Sequence, residues 1–547
     1  MPFPDFTPSL PVFLKTMTER RGDAEMIVLG DQRVTYKQAN ERSAEIAKGL
    51  LAAGVTKGSR VALLMPNGPD WIVNWLAITR IGALCIPFNT FYQKRELYWV
   101  MRHSDCQVLL TLDKFLKHSY LQRLEDCAPG LKEQTKQPFH FPSLPFLRNV
   151  YVWGEVTHPW AQNGPEALKA LAAEHPDIDD AYLAEVEKDV TPADPMIMIY
   201  SSGSTADPKA AIHSHGAVIR HSFNLNAERK VFPEDRLYSP MPFFWVGGFV
   251  FGLLSAMHAG ACMLCEDHFD PGTTLAFLEK EKATIVAGWA HYGKAMTDHE
   301  DFAKRDLSSL RAGNIWDILP DGVRPDDPEL RSNSLGMTET CGPHTFKNMD
   351  SDMPESLRGS FGKSVDQVQH KIVHPDTGET LAAGELGEIC VRGYNVTQGL
   401  YKLEREDVFD ADGWYHTGDG GYFTEGGYLY FKARIRELIK TAGASVTPRE
   451  VELVLETLDS VKAAFVVGVP DPERGQNVAV AIVREEGKSV DADSARKFLR
   501  GELSAYKVPK HYFFVDSQDD LPFTDTAKID KKKLTAIMAD KVKAGEV

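Results

Sequence analysis

Short apolar runs alternate with amphipathic stretches from the first hundred residues onward, and this rhythm restricts the chain to an α/β fold built on parallel sheet. Asn40 to Ala53 has helical spacing and stops at Gly54, and Arg60 to Met65 is a short apolar run of strand type. Asp70 to Ile81 reads as a helix between Pro69 and Gly82, and Ala83 to Pro87 as a strand. Arg95 to His103 reads as a helix and Val108 to Thr111 as a strand. Strands joined through helices run in one direction, so such units stack into a parallel sheet with helices on its faces. The rhythm resumes after residue 195, where Met196 to Tyr200 feeds a Ser/Gly/Thr loop and a helix begins near Gly216.

At 547 residues the chain exceeds what one hydrophobic core organises, so at least two domains are expected. Residues 116 to 190 are less regular, and the proline-rich Lys136 to Leu147 reads as a surface excursion. Composition shifts near 384: Glu388 to Arg392 alternates like a strand, and turn glycines crowd behind it. Lys432 to Glu437 reads as a charged, exposed link. Beyond it lies an α+β pattern: helices at Arg449 to Glu456 and Asp493 to Glu502, strands at Val461 to Val467, Val478 to Val483 and Tyr512 to Val515. The expected organisation is a large N-terminal domain of parallel-rich sheets flanked by helices, residues 1–433, a junction at 434–436, and a small α+β domain, 437–547.

The net charge of −16 argues against a nucleic-acid partner, though a nucleotide site needs only a few local donors. The seven cysteines are scattered and odd in number, which is no disulfide framework and suits a reducing cytoplasm. Cys262 and Cys265 sit in an apolar run and read as buried thiols. No secretory signal is expected at the N-terminus. Trp245 to Cys265 carries no Asp, Glu, Lys or Arg and is long enough to span a bilayer, but its glycines and missing basic flanks favour a buried helix ending at Gly260, then a core strand. No transmembrane segment is expected.

The chemistry starts at Ser201-Ser-Gly-Ser-Thr-Ala-Asp-Pro-Lys209. Hydroxyls, a glycine and a lysine directly after a strand suit a polyphosphate. Pro208 before the lysine excludes a Walker A loop. Alone, such a stretch is more often a plain flexible loop. It is followed in order by Gly336-Met-Thr-Glu-Thr340, Gly384-Glu-Leu-Gly-Glu388 and Gly413-Trp-Tyr-His-Thr-Gly-Asp419. Then come Arg434, Glu437-Leu-Ile-Lys440, Gly443, Pro448-Arg-Glu-Val-Glu452, Tyr506-Lys-Val-Pro509 and Leu521-Pro-Phe-Thr-x-x-x-Lys528. This series resembles the adenylate-forming superfamily of acyl-CoA synthetases, luciferases and adenylation domains, from about residue 25 to 535.

The resemblance implies ATP, Mg²⁺ and coenzyme A as ligands, and roles at matching positions. Ser201, Ser202, Gly203, Ser204, Thr205 and Lys209 would hold the β- and γ-phosphates, and Thr338 the α-phosphate. Glu339 would ligate Mg²⁺. Asp419 and Arg434 would hold the ribose. Lys528 would bridge the attacking carboxylate and the α-phosphate. Trp245, Gly247 and Gly336 would border the acyl pocket. The C-terminal domain would be mobile, rotating at Arg436 between two orientations, with Gly443 giving the thiol arm room to pass. A cytoplasmic enzyme follows, with a homodimer as a further option.

Departures from the family pattern bear on adenine binding: Ala206, Ala210 and Ala527 replace glycines, Leu335 replaces an aromatic, and Gly313-Asn-Ile-Trp316 replaces an adenine-contacting segment. Phe243, Phe244, Trp245, Phe249 and Phe251 imply an apolar acid, a medium- or long-chain fatty acid or a bulky alicyclic or aromatic one. At least half of these rings are equally read as core. Two alternatives stand beside the ligase: an enzyme loading a carrier protein in trans, and a degenerate non-catalytic binding relative.

Overall fold

The computed structural model describes residues 4–201, 208–347, 350–375, 377–434, 439–446, 448–522 and 529–545. The chain divides into two compact units. One comprises Met1–Thr90, Met101–Tyr200 and Ala210–Ile435; the other comprises Phe91–Val100, Ser201–Lys209 and Arg436–Val547.

Two large sheets organise the first unit. In one, strands Ala312–Gly313, Ile285–Val286, Arg236–Tyr238, Cys262–Leu264 and Glu25–Leu29 run parallel, and Gln32–Thr35 closes the edge antiparallel. The other is eight-stranded, with a parallel run of Pro195–Ser201, Leu84–Pro87, Arg60–Leu64, Val108–Leu112, Asn149–Trp153 and Gln162–Asn163. Its far edge is Lys209–Ser214 paired antiparallel with Gly399–Leu400. The alternating pattern thus gives the parallel architecture that it implies.

Local chemistry sets the boundaries. The helix Tyr36–Ala52 starts before its apolar periodicity does, because Thr35 and Gln38 form a reciprocal capping box: the Gln38 amide donates to Thr35 Oγ1 at 3.2 Å, and the Thr35 amide donates to Gln38 Oε1 at 3.0 Å. The helix Pro69–Arg80 is buried on nearly every face, and Trp71 and Trp75 are sealed in the core. Burying each indole contributes roughly 4–6 kcal/mol by area. Arg80, at its end, reaches Glu187 at 2.6 Å and Ser43 at 2.8 Å, so its buried charge is matched.

Three expectations need correction. Residues 136–147 lack regular structure, but Phe139, Phe141, Leu144 and Leu147 are buried, so this segment is packed against the core. Helices Gly164–Glu174 and Asp180–Lys188 lie in the stretch read as irregular. The first part of the expected link, Lys432 to Arg434, belongs to the strand Leu429–Arg434 of an antiparallel sheet with Gln369–Val373, Gly387–Arg392 and Tyr415–Phe423, while 435–437 lie outside the described residues. All seven cysteines are free and buried, Cys262 and Cys265 among them.

The second unit is built on Ala444–Val446, Ile439–Thr441, Gly475–Arg484 and Val461–Asp471, with His511–Val515 parallel to Gly475–Arg484. Helices Pro448–Leu455, Ala492–Glu502 and Lys531–Ala544 accompany them. In the last of these, Lys531 lies 2.8 Å from Glu452. Inside this unit Lys507, 2% exposed, bonds Glu96 at 2.8 Å and Glu450 at 2.9 Å. Burial opposes its charge, yet these carboxylates outweigh it and hold Lys507 well above the usual lysine range.

Candidate active site

The segment Gly336-Met-Thr-Glu-Thr340 is a strand end, Leu335–Met337, running into one turn of 3₁₀ helix, Thr338–Thr340, before the strand Gly342–Phe346. Gly336 is dictated by space: a Cβ there would sit 2.5 Å from the Pro343 nitrogen. Thr340 closes the turn, accepting from the Met337 amide at 3.2 Å and donating to the Gly342 carbonyl at 2.8 Å.

Three residues that sequence reasoning missed fasten this turn. The Thr397 amide donates to the Glu339 carbonyl at 2.7 Å. The Thr397 hydroxyl accepts from the Ile212 amide at 3.0 Å, and the carbonyls of Ile212 and Gly399 lie 2.9 and 2.7 Å away for its one proton. His213 donates from Nε2 to the Thr338 carbonyl at 2.7 Å, and Asn395 donates to the Thr340 carbonyl at 2.9 Å. Burial lowers His213 to about 4, so the ring is neutral and carries a single N–H. The strand leaving the Ser/Gly/Thr loop and the Thr338–Glu339 turn are therefore tied through one threonine. Nothing in the motif pattern flags these residues, because they act through main-chain atoms.

Glu339 is 5% exposed. Its carboxylate is the hard oxygen donor that Mg²⁺ requires. Asp419, 3% exposed, lies in the strand Tyr415–Phe423, and its amide donates to Thr417 Oγ1 at 3.0 Å. The antiparallel register sets Asp419 opposite Arg434, which brings the two expected ribose residues together.

Trp245 is half-buried, edge-on to Phe244 at 5.1 Å and to Trp289 at 5.9 Å. Two residues on, the chain enters a π-helix, Gly247–Leu254, followed by Ser255–Ala259 and the strand Cys262–Leu264. Among the described residues no helix is long and apolar enough to cross a membrane. Wide turns of this kind are rare and recur at functional sites. Gly248 permits it: a Cβ would meet the Pro242 carbonyl oxygen at 2.2 Å. Phe243 and Phe249 are core, packed on Trp71 and Trp75 with ring centroids 5.1–5.9 Å apart. Trp289 is an aromatic that the sequence did not single out.

In the second unit Gly443 stands in the two-residue turn between Ile439–Thr441 and Ala444–Val446. Ala442 has φ 48° and Gly443 φ 79°, as a tight hairpin of two left-handed residues demands. Ser201 ends one strand and Lys209 begins the next. Ser202, Gly203, Ser204, Thr205, Ala206, Arg436, Ala527 and Lys528 lie outside the described residues.

Residues 14–401 match the family described as AMP-binding enzyme, and residues 450–528 match the AMP-binding enzyme C-terminal domain. The chain is 30% identical over 524 residues to YngI of Bacillus subtilis (strain 168), covering 94% of each chain. It is 29% identical to the medium-chain acyl-CoA ligase ACSF2, mitochondrial, of Rattus norvegicus, covering 95% of this chain and 86% of that one. The amide bond synthetase McbA of Marinactinospora thermotolerans shares the fold at TM-score 0.77 and 23% identity, over 96% of this chain and 99% of that chain. The chain belongs to the AMP-binding enzymes, the adenylate-forming superfamily, as an acyl-CoA synthetase.

Proposed function

We propose that the chain joins an apolar carboxylic acid, a medium- or long-chain fatty acid or a bulky alicyclic or aromatic one, to coenzyme A. The acid's carboxylate oxygen attacks the α-phosphorus of ATP and pyrophosphate leaves, giving acyl-AMP. The CoA sulfur then attacks the acyl carbon, AMP leaves, and the thiol proton passes to solvent. The observation that carries this reading is the Thr397 tie, which holds Thr338 and Glu339 against the exit strand of the Ser/Gly/Thr loop. An anionic acid meeting an anionic phosphate needs positive charge between them, so catalysis is chiefly electrostatic. Lys209 and Lys528 supply it in this reading, with Mg²⁺ on Glu339, while Ser201, Ser202, Gly203, Ser204 and Thr205 cradle phosphate and Thr338 holds the α-phosphate. Asp419 and Arg434 hold the ribose. Trp245, Gly247 and Gly336 border the acid, Arg436 is the hinge between domains 1–433 and 437–547, and Gly443 lines the path of the thiol.

The test is pyrophosphate release from ATP across a panel of carboxylic acids, with and without CoA. Release confined to one class of apolar acid, with AMP and acyl-CoA as products, is expected. No release with any acid from folded protein overturns the proposal. Lys528→Ala is expected to abolish acyl-AMP formation and to spare CoA transfer from supplied acyl-AMP. Equal loss of both half-reactions contradicts the assigned role.

A further inference from the structure

The antiparallel register of the strands Gly387–Arg392 and Tyr415–Phe423 puts Cys390 directly opposite His416. Glu388 lies two residues from Cys390 on the same strand, so both side chains leave one face of the sheet. The three meet: Cys390 Sγ is 3.5 Å from His416 Nδ1, and Glu388 Oε2 is 2.9 Å from the same nitrogen. Among the described residues this is the grouping of three such side chains whose donor atoms all lie within 4.8 Å of one another. Cys390 is buried and His416 exposed, so the group opens to solvent on the histidine side.

Hydrogen bonding alone does not satisfy this convergence, because Nδ1 carries at most one proton. Donated to Glu388, that proton leaves the thiol beside an N–H rather than a lone pair. Withheld, it sets a carboxylate against an imidazole lone pair. A divalent cation attracts all three atoms at once. With Zn–S of about 2.3 Å and Zn–N of about 2.0–2.1 Å, tetrahedral zinc holds sulfur and nitrogen about 3.6 Å apart, close to the separation seen here. Its nitrogen–oxygen edge is about 3.4 Å, so Glu388 has to draw back by about half an ångström. Water on the exposed side completes the tetrahedron.

The surroundings suit a ligating histidine. Asp410 Oδ2 stands 3.5 Å from His416 Nε2, on the far side of the ring. Asp410 is itself fixed by the amides of Asp412 and Trp414, at 3.0 and 2.8 Å, and by Lys371 Nζ at 3.1 Å. A carboxylate there favours the tautomer that leaves Nδ1 free for a metal. The other Glu388 oxygen accepts from the Gly418 amide at 3.0 Å, so this carboxylate is held in place too. Burial, with Glu388 next, pushes the Cys390 thiol up to about 12. A cation that binds sulfur strongly displaces such a proton, which selects Zn²⁺ over Mg²⁺.

We propose that Glu388, Cys390 and His416 form a Zn²⁺ site, oriented by Asp410, that clamps the strand Tyr415–Phe423 to its neighbour at the bulge just before Asp419. It is separate from the Mg²⁺ expected on Glu339, takes no part in the bond changes, and does not rest on the ligase reading.

The experiment uses the full chain, stripped of metal by a chelator and kept reduced. It is titrated with Co²⁺ as a spectroscopic stand-in, and with Zn²⁺ against a chromophoric chelator, both in excess Mg²⁺. One equivalent of Co²⁺ is expected to give the visible bands of a tetrahedral site and a near-ultraviolet thiolate-to-cobalt band, and Zn²⁺ to bleach both. Cys390→Ser, or Cys390→Ala should the serine variant not fold, is expected to lose the thiolate band. His416→Ala is expected to bind Zn²⁺ about 100-fold more weakly and Asp410→Asn about tenfold, with metal-free melts confirming that each is folded. Zn²⁺ should raise the Tm of wild type and leave that of His416→Ala unchanged. No thiolate band in wild type overturns the site, and so do a band and an affinity that survive in the Cys390 and His416 variants.

Discussion

At the scale of single residues, the site is governed by what cannot be added. Gly336 faces the Pro343 nitrogen so closely that a methyl group has no place. Gly336→Ala is expected to shift the turn carrying Thr338 and Glu339, costing about 1–3 kcal/mol of stability and lowering kcat/KM at least tenfold. Thermal melts and pyrophosphate release on the same preparation check this; unchanged values in both would refute the packing argument. The glycine was legible as part of a motif, but its reason was not, because the opposing nitrogen comes from the far side of the turn. His213 and Thr397 were illegible for a related cause. They serve main-chain atoms, and any chain that holds a turn in place can do so with a donor drawn from elsewhere.

At the scale of elements, apolar runs bounded by glycine, proline or polar residues marked the buried elements. The helix Pro69–Arg80 and the strands Arg60–Leu64, Leu84–Pro87 and Val108–Leu112 fall within a residue of expectation. The π-helix was out of reach, because Gly247–Leu254 is apolar throughout and offers no polar face to show its wider turn. Helices Gly164–Glu174 and Asp180–Lys188 were missed although Asn163 and Asp179 cap them, since few of their residues are buried to mark a face. The strand Leu429–Arg434 was misread because Lys432 and Arg434 look like linker residues until Tyr415–Phe423 pairs beside them. Between elements, Thr397 is the fastening. Thr397→Val removes the hydroxyl that Ile212 and Gly399 use and keeps the shape. The expected result is about 1–3 kcal/mol of lost stability and slower acyl-AMP formation, with the acid's KM unchanged. A change confined to KM would show that the tie positions substrate rather than the Thr338–Glu339 turn.

At the scale of the whole molecule, buried histidines set the response to acid. His213, His215 and His221 are sealed from solvent, and burial lowers them to about 4, 3 and 3. His215 accepts the Leu10 amide at Nδ1, at 3.1 Å, which a protonated ring could not do. In the unfolded chain each titrates near 6.5. Above that value both states are neutral and nothing is lost. Below it the unfolded chain takes up protons that the folded one refuses, so stability falls as pH drops from about 6.5 towards 4. The three together contribute up to about 4 kcal/mol per pH unit. Urea midpoints by tryptophan fluorescence are expected to fall steeply between pH 7 and pH 5. A midpoint that stays flat over that range would mean the histidines are hydrated in the folded state.

The Thr397 tie has one more effect, on the timescale of opening. Ile212 and Glu339 lie far apart along the chain, yet one side chain and one amide bind both to the same residue. Neither strand can fray alone without breaking the other's contacts. The amides of Ile212 and Thr397 should therefore exchange with deuterium together and late, as one cooperative block, while the turn residues around Gly336 exchange early. This fastening at the floor of the candidate site would then be visible, without any ligand, as a patch of shared protection.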